Sequence, residues 1–328
     1  MTVLVTGAPG WLGTRLVRRL IHQGVPVRCL IYPSDWSLDD AAQRLHGAEL
    51  MSGDIRNEHD VARAMRGVQC VMHLAGARHP WRTNALRTIN VDGTRVVARA
   101  ARQHGVEHII HASSISVFGN NTRPDVALTE TDRPSPRTAY GRTKLWSESA
   151  LRLSCGNDVA TTILRPGPFY GPGQSASFRL LSRLVLTGTA PDVAGSVARQ
   201  SLAHVDNVVD AFIAAYQTPN TGHRTALIAD ARPYSMAELL AAVADAHSQP
   251  LRTLPVPMLV SRAAERVAAI ADQAFGLHVG LLTMAGEFGR NRWCDVRHAK
   301  TELGYVPKRD LEVGMREAWA EENATERV

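Results

Sequence analysis

The chain of 328 residues is long enough for one large α/β unit, or for a core domain with a smaller partner. A hydrophobic share of 45% against 21% charged residues is that of a soluble globular protein and excludes a disordered or fibrous one. The net charge of +6 comes from scattered residues such as Arg15, Arg18 and Arg19, with no basic run, which argues against a nucleic-acid partner. Four cysteines (Cys29, Cys70, Cys155, Cys294) lie far apart without paired ligand spacing. They read as buried free thiols in a reducing compartment, not as disulfides or metal ligands, and no metal is expected. No stretch approaches about eighteen uninterrupted apolar residues, and the first seven residues enter a strand directly. The expected setting is cytoplasmic, with no membrane partner.

Thr2–Thr6 is a short apolar run that ends in Gly7-Ala8-Pro9-Gly10-Trp11-Leu12-Gly13. Beyond it Leu12, Leu16, Val17, Leu20 and Ile21 recur at helical spacing up to Gly24. Strand, glycine loop and helix make the context of a dinucleotide-binding loop. The glycines permit close backbone approach, and the helix N-terminus offers unpaired N–H groups to a pyrophosphate. Val27–Ile31 predicts a second strand. An acid at its end would mark a cofactor with a free 2′-hydroxyl, but Ile31-Tyr32-Pro33-Ser34 holds none. No arginine marking a 2′-phosphate stands out either. The cofactor expected is NAD or NADP, with a lean to NADP.

Ala48–Ser52 predicts a third strand, leading into Gly53-Asp54-Ile55-Arg56. Asp54 either accepts from the exocyclic amine of adenine or caps the helix that begins near Glu58. A fourth strand, Val68–Leu74, emerges at Ala75-Gly76-Ala77, whose small residues would let a ring system pack on backbone. A polar stretch from Arg78 to Arg82 with Trp81 follows, then Asn90 at the start of a helix running to about His104. Asn90 is either a helix-start residue or a brace for the site. A fifth strand, Val106–Ala112, ends in Ser113-Ser114, where α/β sheets bind ligands. A sixth, Val159–Leu164, is followed by Arg165-Pro166-Gly167-Pro168-Phe169-Tyr170-Gly171-Pro172-Gly173. Six strand–helix alternations predict a parallel, doubly wound sheet. Beyond Gly173 the alternation degrades. Helical patterns fall at Ala176–Leu186, Asn207–Gln217, Ser235–Ala246 and Ser261–Phe275, with short strands at Ser201–Val205 and Thr225–Ile228 and a bend at Pro250–Pro257.

Between the fifth and sixth strands stands Tyr140-Gly141-Arg142-Thr143-Lys144. A tyrosine and a lysine four apart on a helix project from one face. An ammonium beside a phenol favours the phenolate, which suits proton exchange with an alcohol or carbonyl. Taken alone, such spacing is mostly that of neighbours on a solvated face.

Taken in order, Thr6-Gly7-x-x-Gly10-x-x-Gly13, Gly53-Asp54-Ile55-Arg56, His73-Leu74-Ala75-Gly76, Asn90-Val91-x-Gly93-Thr94, Ser113-Ser114-x-x-Val117-Phe118-Gly119, Tyr140-x-x-x-Lys144 and Arg165-Pro166 through Gly173 form a specific set. The set resembles the extended short-chain dehydrogenase/reductase superfamily, also called the NAD-dependent epimerase/dehydratase family. His204-Val205-Asp206-Asn207-Val208 and the stretch from Trp293 to Pro307 look like its C-terminal signatures.

The resemblance implies a Rossmann-type doubly wound parallel sheet over residues 1–166, to which 201–217 return. A smaller, partly interleaved substrate domain would take 167–200 and 218–328. It implies Tyr140 as general acid/base, Lys144 as its partner and holder of the nicotinamide ribose, and Ser114, rather than Ser113, as the donor to the substrate oxygen. Gly7, Gly10, Trp11, Leu12 and Gly13 would hold the pyrophosphate, Asp54 and Ile55 the adenine, and Leu74, Ala75 and Gly76 the adjoining cofactor. Asn90 would serve the cofactor site, and Pro166 the nicotinamide end. Arg78, Trp81, Ser114 and Phe169 are the candidate substrate contacts.

Within the superfamily, nucleotide-sugar enzymes usually carry an asparagine where this chain has Pro168, and tend to carry an arginine where it has Gln200. The pattern looks more like the 3β-hydroxysteroid dehydrogenase-like branch, with its dihydroflavonol-type and β-keto acid reductases. The function implied is an NAD(P)-dependent oxidoreductase on a secondary alcohol or ketone of a small hydrophobic or amphipathic substrate. The alternatives are a nucleotide-sugar epimerase or dehydratase with tightly bound NAD, and a non-catalytic dinucleotide-binding regulator. The helices Gly93–His104 and Thr138–Arg152 would pack against a second copy as a homodimer, with Trp146 either an anchor in that interface or a core residue.

Overall fold

The computed structural model describes residues 1–78, 83–121, 123, 125–173, 176–193, 198–218, 221–257, 259–260, 263, 266–267 and 291–326. Seven strands form one parallel sheet: β1 (Thr2–Thr6), β2 (Val27–Ile31), β3 (Glu49–Ser52), β4 (Val68–His73), β5 (His108–Ala112), β6 (Ala160–Pro166) and β7 (His223–Ile228). Their order is β7-β6-β5-β4-β1-β2-β3. β1 lies between β2 and β4, with Val5 opposite Cys29 on one side and Met72 on the other. Strand order reverses there, and the crevice beyond the strand ends at such a point is where open α/β sheets take ligands.

Alternation along β1 builds the two layers. Val3 and Val5 enter one core with Leu12, Leu16 and Leu20 of α1 (Trp11–His22) and Phe212 of a later helix on the same face of the sheet. Leu4 points the other way, into a second core with α3 (Glu58–Met65), α5 (Thr94–Gln103) and α6 (Ala139–Cys155). The chain is therefore an α/β Rossmann fold. All four cysteines are buried and free, and burial pushes their thiols up to about 12.

The sheet extends one strand further than the sequence alternation predicts. Thr225–Ile228, expected in the substrate domain, belongs to β7, which pairs in parallel with β6 from His223 opposite Thr161 to Ile228 opposite Pro166. It arrives after the helix α8 (Val205–Gln217), whose buried face packs beside α1. The strand expected at Ser201–Val205 shrinks to Ala203–His204, paired with Phe169–Tyr170. A separate core joins α7 (Ala176–Leu186), α9 (Met236–Ala246) and α11 (Leu311–Glu326) through Leu181, Leu239, Leu240 and Met315. α9 starts on a reciprocal cap in which the Ser235 side chain accepts from Glu238 N and Glu238 accepts from Ser235 N.

The bend expected at Pro250–Pro257 is instead a strand, Thr253–Val256, parallel to Ala190–Val193. It belongs to a two-stranded sheet, where proline can occupy an edge without losing a ladder bond. Most of the helix expected at Ser261–Phe275 lies outside the described residues. Among the described residues no helix is long and apolar enough to cross a membrane.

Candidate active site

The glycine loop turns tightly between β1 and α1. Gly7 has φ +74, and a Cβ there would stand 2.7 Å from Ala75 N; a Cβ on Gly13 would stand 2.5 Å from Gly7 O. α1 begins after Gly10 without a side-chain cap and without an acid in its first turn, so its N–H groups and positive end are free for an anion. These features fit a dinucleotide pyrophosphate over Gly10, Trp11 and Leu12. Trp11 itself donates from Nε1 to Pro172 O at 2.7 Å and meets Phe169 edge-on at 6.3 Å. That contact ties the loop to the stretch after β6, a link no spacing in the sequence announces.

At the end of β2, Tyr32 stands 3.2 Å from the Arg56 guanidinium. Asp54 does not cap α3; Asn57 does, accepting from His59 N and Asp60 N. The Asp54 carboxylate instead takes Arg56 Nε and Nη2 at 2.5–3.0 Å. Burial alone would raise it, but the Arg56 hydrogen bonds and charge hold it below its ordinary value. Ile55 is buried.

Leu74, Ala75 and Gly76 follow β4 at the switch point, with Arg78 exposed beyond them. Trp81 lies outside the described residues. Asn90 sits in a π-helical turn, Thr88–Gly93, preceded by α4 (Thr83–Arg87). It is buried and acts as a brace rather than a helix cap. Its Oδ1 accepts from Ala77 N at 2.7 Å, and its Nδ2 donates to Ala77 O at 3.0 Å and Thr143 Oγ1 at 2.9 Å. The wider turn carries this side chain inward, a common setting for π-turns at functional sites.

α6 starts on Thr138, whose side chain accepts from Gly141 N. Tyr140 is half-buried in its first turn. One turn on, Lys144 is buried, with Nζ 5.9 Å from the Tyr140 ring centre and 2.9 Å from Ala112 O. A Cβ on Gly76 would lie 3.0 Å from that Nζ, so the glycine leaves the ammonium room to reach the crevice. The two serines after β5 part company. Ser113 is buried and donates to Glu148 Oε1 at 2.5 Å, and Glu148 is paired with Arg165 at 2.7 and 2.9 Å. Ser114 is part-exposed, and its Oγ accepts from Ser116 N at 3.1 Å. Among the described residues its own proton has no acceptor, so it is free to donate. Pro166 ends β6, buried.

A cluster of metal-ligand type, His204, Asp206 and Glu317, lies between α8 and α11. His204 Nδ1 accepts from Asp206 N at 3.2 Å, which leaves the proton on Nε2, facing Glu317 at 3.3 Å. Arg15 and Arg309 also reach Asp206. The geometry is that of an ion-pair network.

The family model for the NAD-dependent epimerase/dehydratase family matches residues 3–229. The chain belongs to that family, and it is an enzyme of the extended short-chain dehydrogenase/reductase type. It is 27% identical over 325 residues to UDP-glucose 4-epimerase of Vibrio cholerae, covering 96% of this chain and 94% of that one. It is 26% identical over 337 residues to 2-alkyl-3-oxoalkanoate reductase of Stenotrophomonas maltophilia, covering 96% and 98%. Among solved structures, UDP-glucuronic acid 4-epimerase from Bacillus cereus in complex with NAD superposes with a TM-score of 0.79 at 21% identity, covering 99% of each chain.

Proposed function

We propose that the protein transfers a hydride between a nicotinamide dinucleotide and a secondary alcohol or ketone of a small hydrophobic or amphipathic substrate. The observation that carries this reading is Lys144 Nζ, 2.9 Å from Ala112 O at the end of β5 and one turn from half-buried Tyr140, with the part-exposed Ser114 hydroxyl two residues beyond Ala112. A bound nicotinamide supplies the hydride chemistry. The chain's own work is to bind, orient and move a proton. In the reductive direction Tyr140 gives its phenolic proton to the substrate oxygen, while Ser114 donates a hydrogen bond to the charge developing there. Lys144 puts a positive charge beside the oxygen that the transfer leaves behind. The glycine loop, Asp54, Ile55, residues 74–76 and Pro166 would hold the cofactor, with Asn90 bracing them. Arg78, Trp81 and Phe169 would meet the substrate.

Support for a ketone over a nucleotide sugar comes from Pro168, which has no side-chain donor for a diphosphate, and from Gln200, which is buried. The likeness to 2-alkyl-3-oxoalkanoate reductase points the same way. The likeness to UDP-glucose 4-epimerase favours the second reading, a redox-neutral conversion of a nucleotide sugar. One experiment separates them. Purified protein is offered NADH or NADPH with a panel of hydrophobic ketones and β-keto esters, and separately UDP- and dTDP-sugars. Net consumption of reduced cofactor with a ketone is expected; conversion of a sugar nucleotide without net cofactor change would overturn the proposal. Presence of both Tyr140 and Lys144 argues against a non-catalytic regulator.

The preference proposed is for NADP. The end of β2 carries no acid to repel a 2′-phosphate, and the Arg56 guanidinium stands beside Tyr32 there. NADPH should bind more tightly than NADH in a fluorescence titration. A homodimer through α5 and α6 is also proposed, since Trp146 and Leu153 on α6 are exposed at 49% and 84%.

A further inference from the structure

Beneath the Tyr140 cluster runs a buried line of hydrogen bonds whose proton directions can be deduced from its ends. Ala75 N donates to Thr6 Oγ1 at 3.3 Å. At the other end Thr94 Oγ1 donates its single proton to Asn90 O at 2.7 Å. Its contact with His73 Nε2, at 2.9 Å, must therefore be one in which the hydroxyl accepts. His73 thus carries its proton on Nε2, and Nδ1 is left to accept from the Thr6 hydroxyl at 2.7 Å. Every proton points the same way, from Ala75 through Thr6, His73 and Thr94 to Asn90. Only a neutral imidazole in one tautomer completes that line. Burial, and secondarily the charge of Lys144, push His73 down to about 3, so it stays neutral across any working pH.

What the line joins gives it meaning. At one end are the glycine-loop strand and the loop after β4. At the other is Asn90, which grips both backbone groups of Ala77 and reaches Thr143, whose hydroxyl donates to Tyr140 O at 2.9 Å. Beside it, the His73 ring stacks on His111 at 5.1 Å, and His111 Nε2 lies 3.0 Å from Ser147 Oγ, which donates to Lys144 O at 2.7 Å. We propose that His73 is a positioning residue. As a single neutral tautomer it locks the cofactor-side loop of residues 74–77 and the first turns of α6 into one unit, so that Tyr140 and Lys144 keep their place against the nicotinamide. The proposal rests on the reading of Tyr140 as proton carrier given above.

The test compares His73→Leu, which keeps bulk and loses both bonds, with His73→Gln, which offers one acceptor and one donor. Thr94→Val cuts the line one link further on with little change in shape, and serves if His73→Leu does not fold. Hydrogen exchange of the cofactor-free protein is expected to rise in residues 74–78 and 139–144 of the Leu and Val variants, with the strands of the sheet unchanged, and to return towards wild type in the Gln variant. Turnover of NADPH with a β-keto ester should fall roughly 10- to 100-fold in the first two variants, chiefly in kcat, with substantial rescue by Gln. The pH dependence of kcat should keep its shape in all of them, because no titrating group is lost. Local exchange and kcat at wild-type levels in His73→Leu and Thr94→Val would overturn the proposal. So would a Gln variant as impaired as the Leu one, or a lost limb of the pH profile. Tyr140→Phe run in parallel tells the two readings apart: if it retains turnover, the assignment of Tyr140 fails first; if it loses turnover while His73→Leu does not, only the positioning role fails.

Discussion

Ser113 and Ser114 are adjacent hydroxyls with opposite surroundings, and kinetics should separate them. In the proposed mechanism Ser114→Ala removes a donor to the charge that develops in the transition state, which ordinarily costs about 10²–10³ in kcat when the donor is part of an oxyanion site. Ser113→Ala removes only a third contact to the buried Glu148 carboxylate, so it should leave kcat within a few-fold and lower stability by about 1 kcal/mol. Equal losses of kcat in both variants would contradict the assignment. Tyr140→Phe should cut turnover by roughly 10²–10⁴-fold, the usual share of general acid–base catalysis, with NADPH affinity little changed in a binding titration. At this scale the sequence posed several forks without the means to choose. The residue pair 113–114 and the cap-or-brace roles of Asn90 depend on contacts across 35 or more residues, the side of α6 that carries Trp146 on which face turns inward, and the partner of Asp54 on the local turn that folds Arg56 back onto it. Spacing identifies the residue type at a position, but for Ser113 and Asn90 the hydrogen-bond partner comes from another element. His73 shows this most clearly, since its motif signals a strand end and says nothing of Thr6 and Thr94 on either side.

At the scale of elements, the first six strands were readable because each is a short, largely apolar run followed within a few residues by glycine, proline or serine, and most lead into a helical pattern. β7 was not placed in the sheet because 167–222 interrupts the alternation with pieces of the separate core of α7, α9 and α11. Its own sequence, His223-Arg224-Thr225-Ala226-Leu227-Ile228, is apolar only in its second half. The polar half is served by side chains from neighbouring strands: Arg224 Nε donates to Thr162 Oγ1 at 2.9 Å, and His223 Nδ1 lies 2.9 Å from Thr161 Oγ1. Elements are also joined by a charge pair that no spacing foretold. Glu148 on α6 and Arg165 on β6 are 1% and 5% exposed and form a two-bond fork, with Arg165 over the Phe118 ring at 4.9 Å. Removing one partner leaves the other charge buried without compensation. Glu148→Ala should therefore lower stability by about 3–5 kcal/mol in urea unfolding, far more than an exposed pair such as Arg102–Asp158 would. A loss below about 1 kcal/mol would show that water reaches Arg165.

For the molecule as a whole, buried imidazoles govern how folding responds to acid. Burial holds His73 at about 3, assisted by Lys144; it holds His108 at about 4, assisted by Arg224, and His204 at about 4, with Arg309 and Arg15 adding to the effect against Asp206. All three would titrate near 6.5 in the unfolded chain. As the pH falls below that value the unfolded chain takes up protons that the folded one refuses. The stability these groups contribute is thus complete above about 6.5 and is lost as the pH falls towards their folded values. Asp230 acts in the opposite sense. Burial lifts it to about 6 from 3.8, although Tyr170, the His204 amide, Asn207 and Tyr234 all donate to it. Its contribution is complete below 3.8 and disappears as the pH rises through about 6. One such group crossing one pH unit is worth about 1.4 kcal/mol. Between pH 7 and pH 5 three imidazoles outweigh one carboxyl, and the protein should lose about 3 kcal/mol or more. Urea midpoints measured at the two pH values check the sign, and a midpoint that holds or rises on acidification would mean that these rings are protonated in the folded protein.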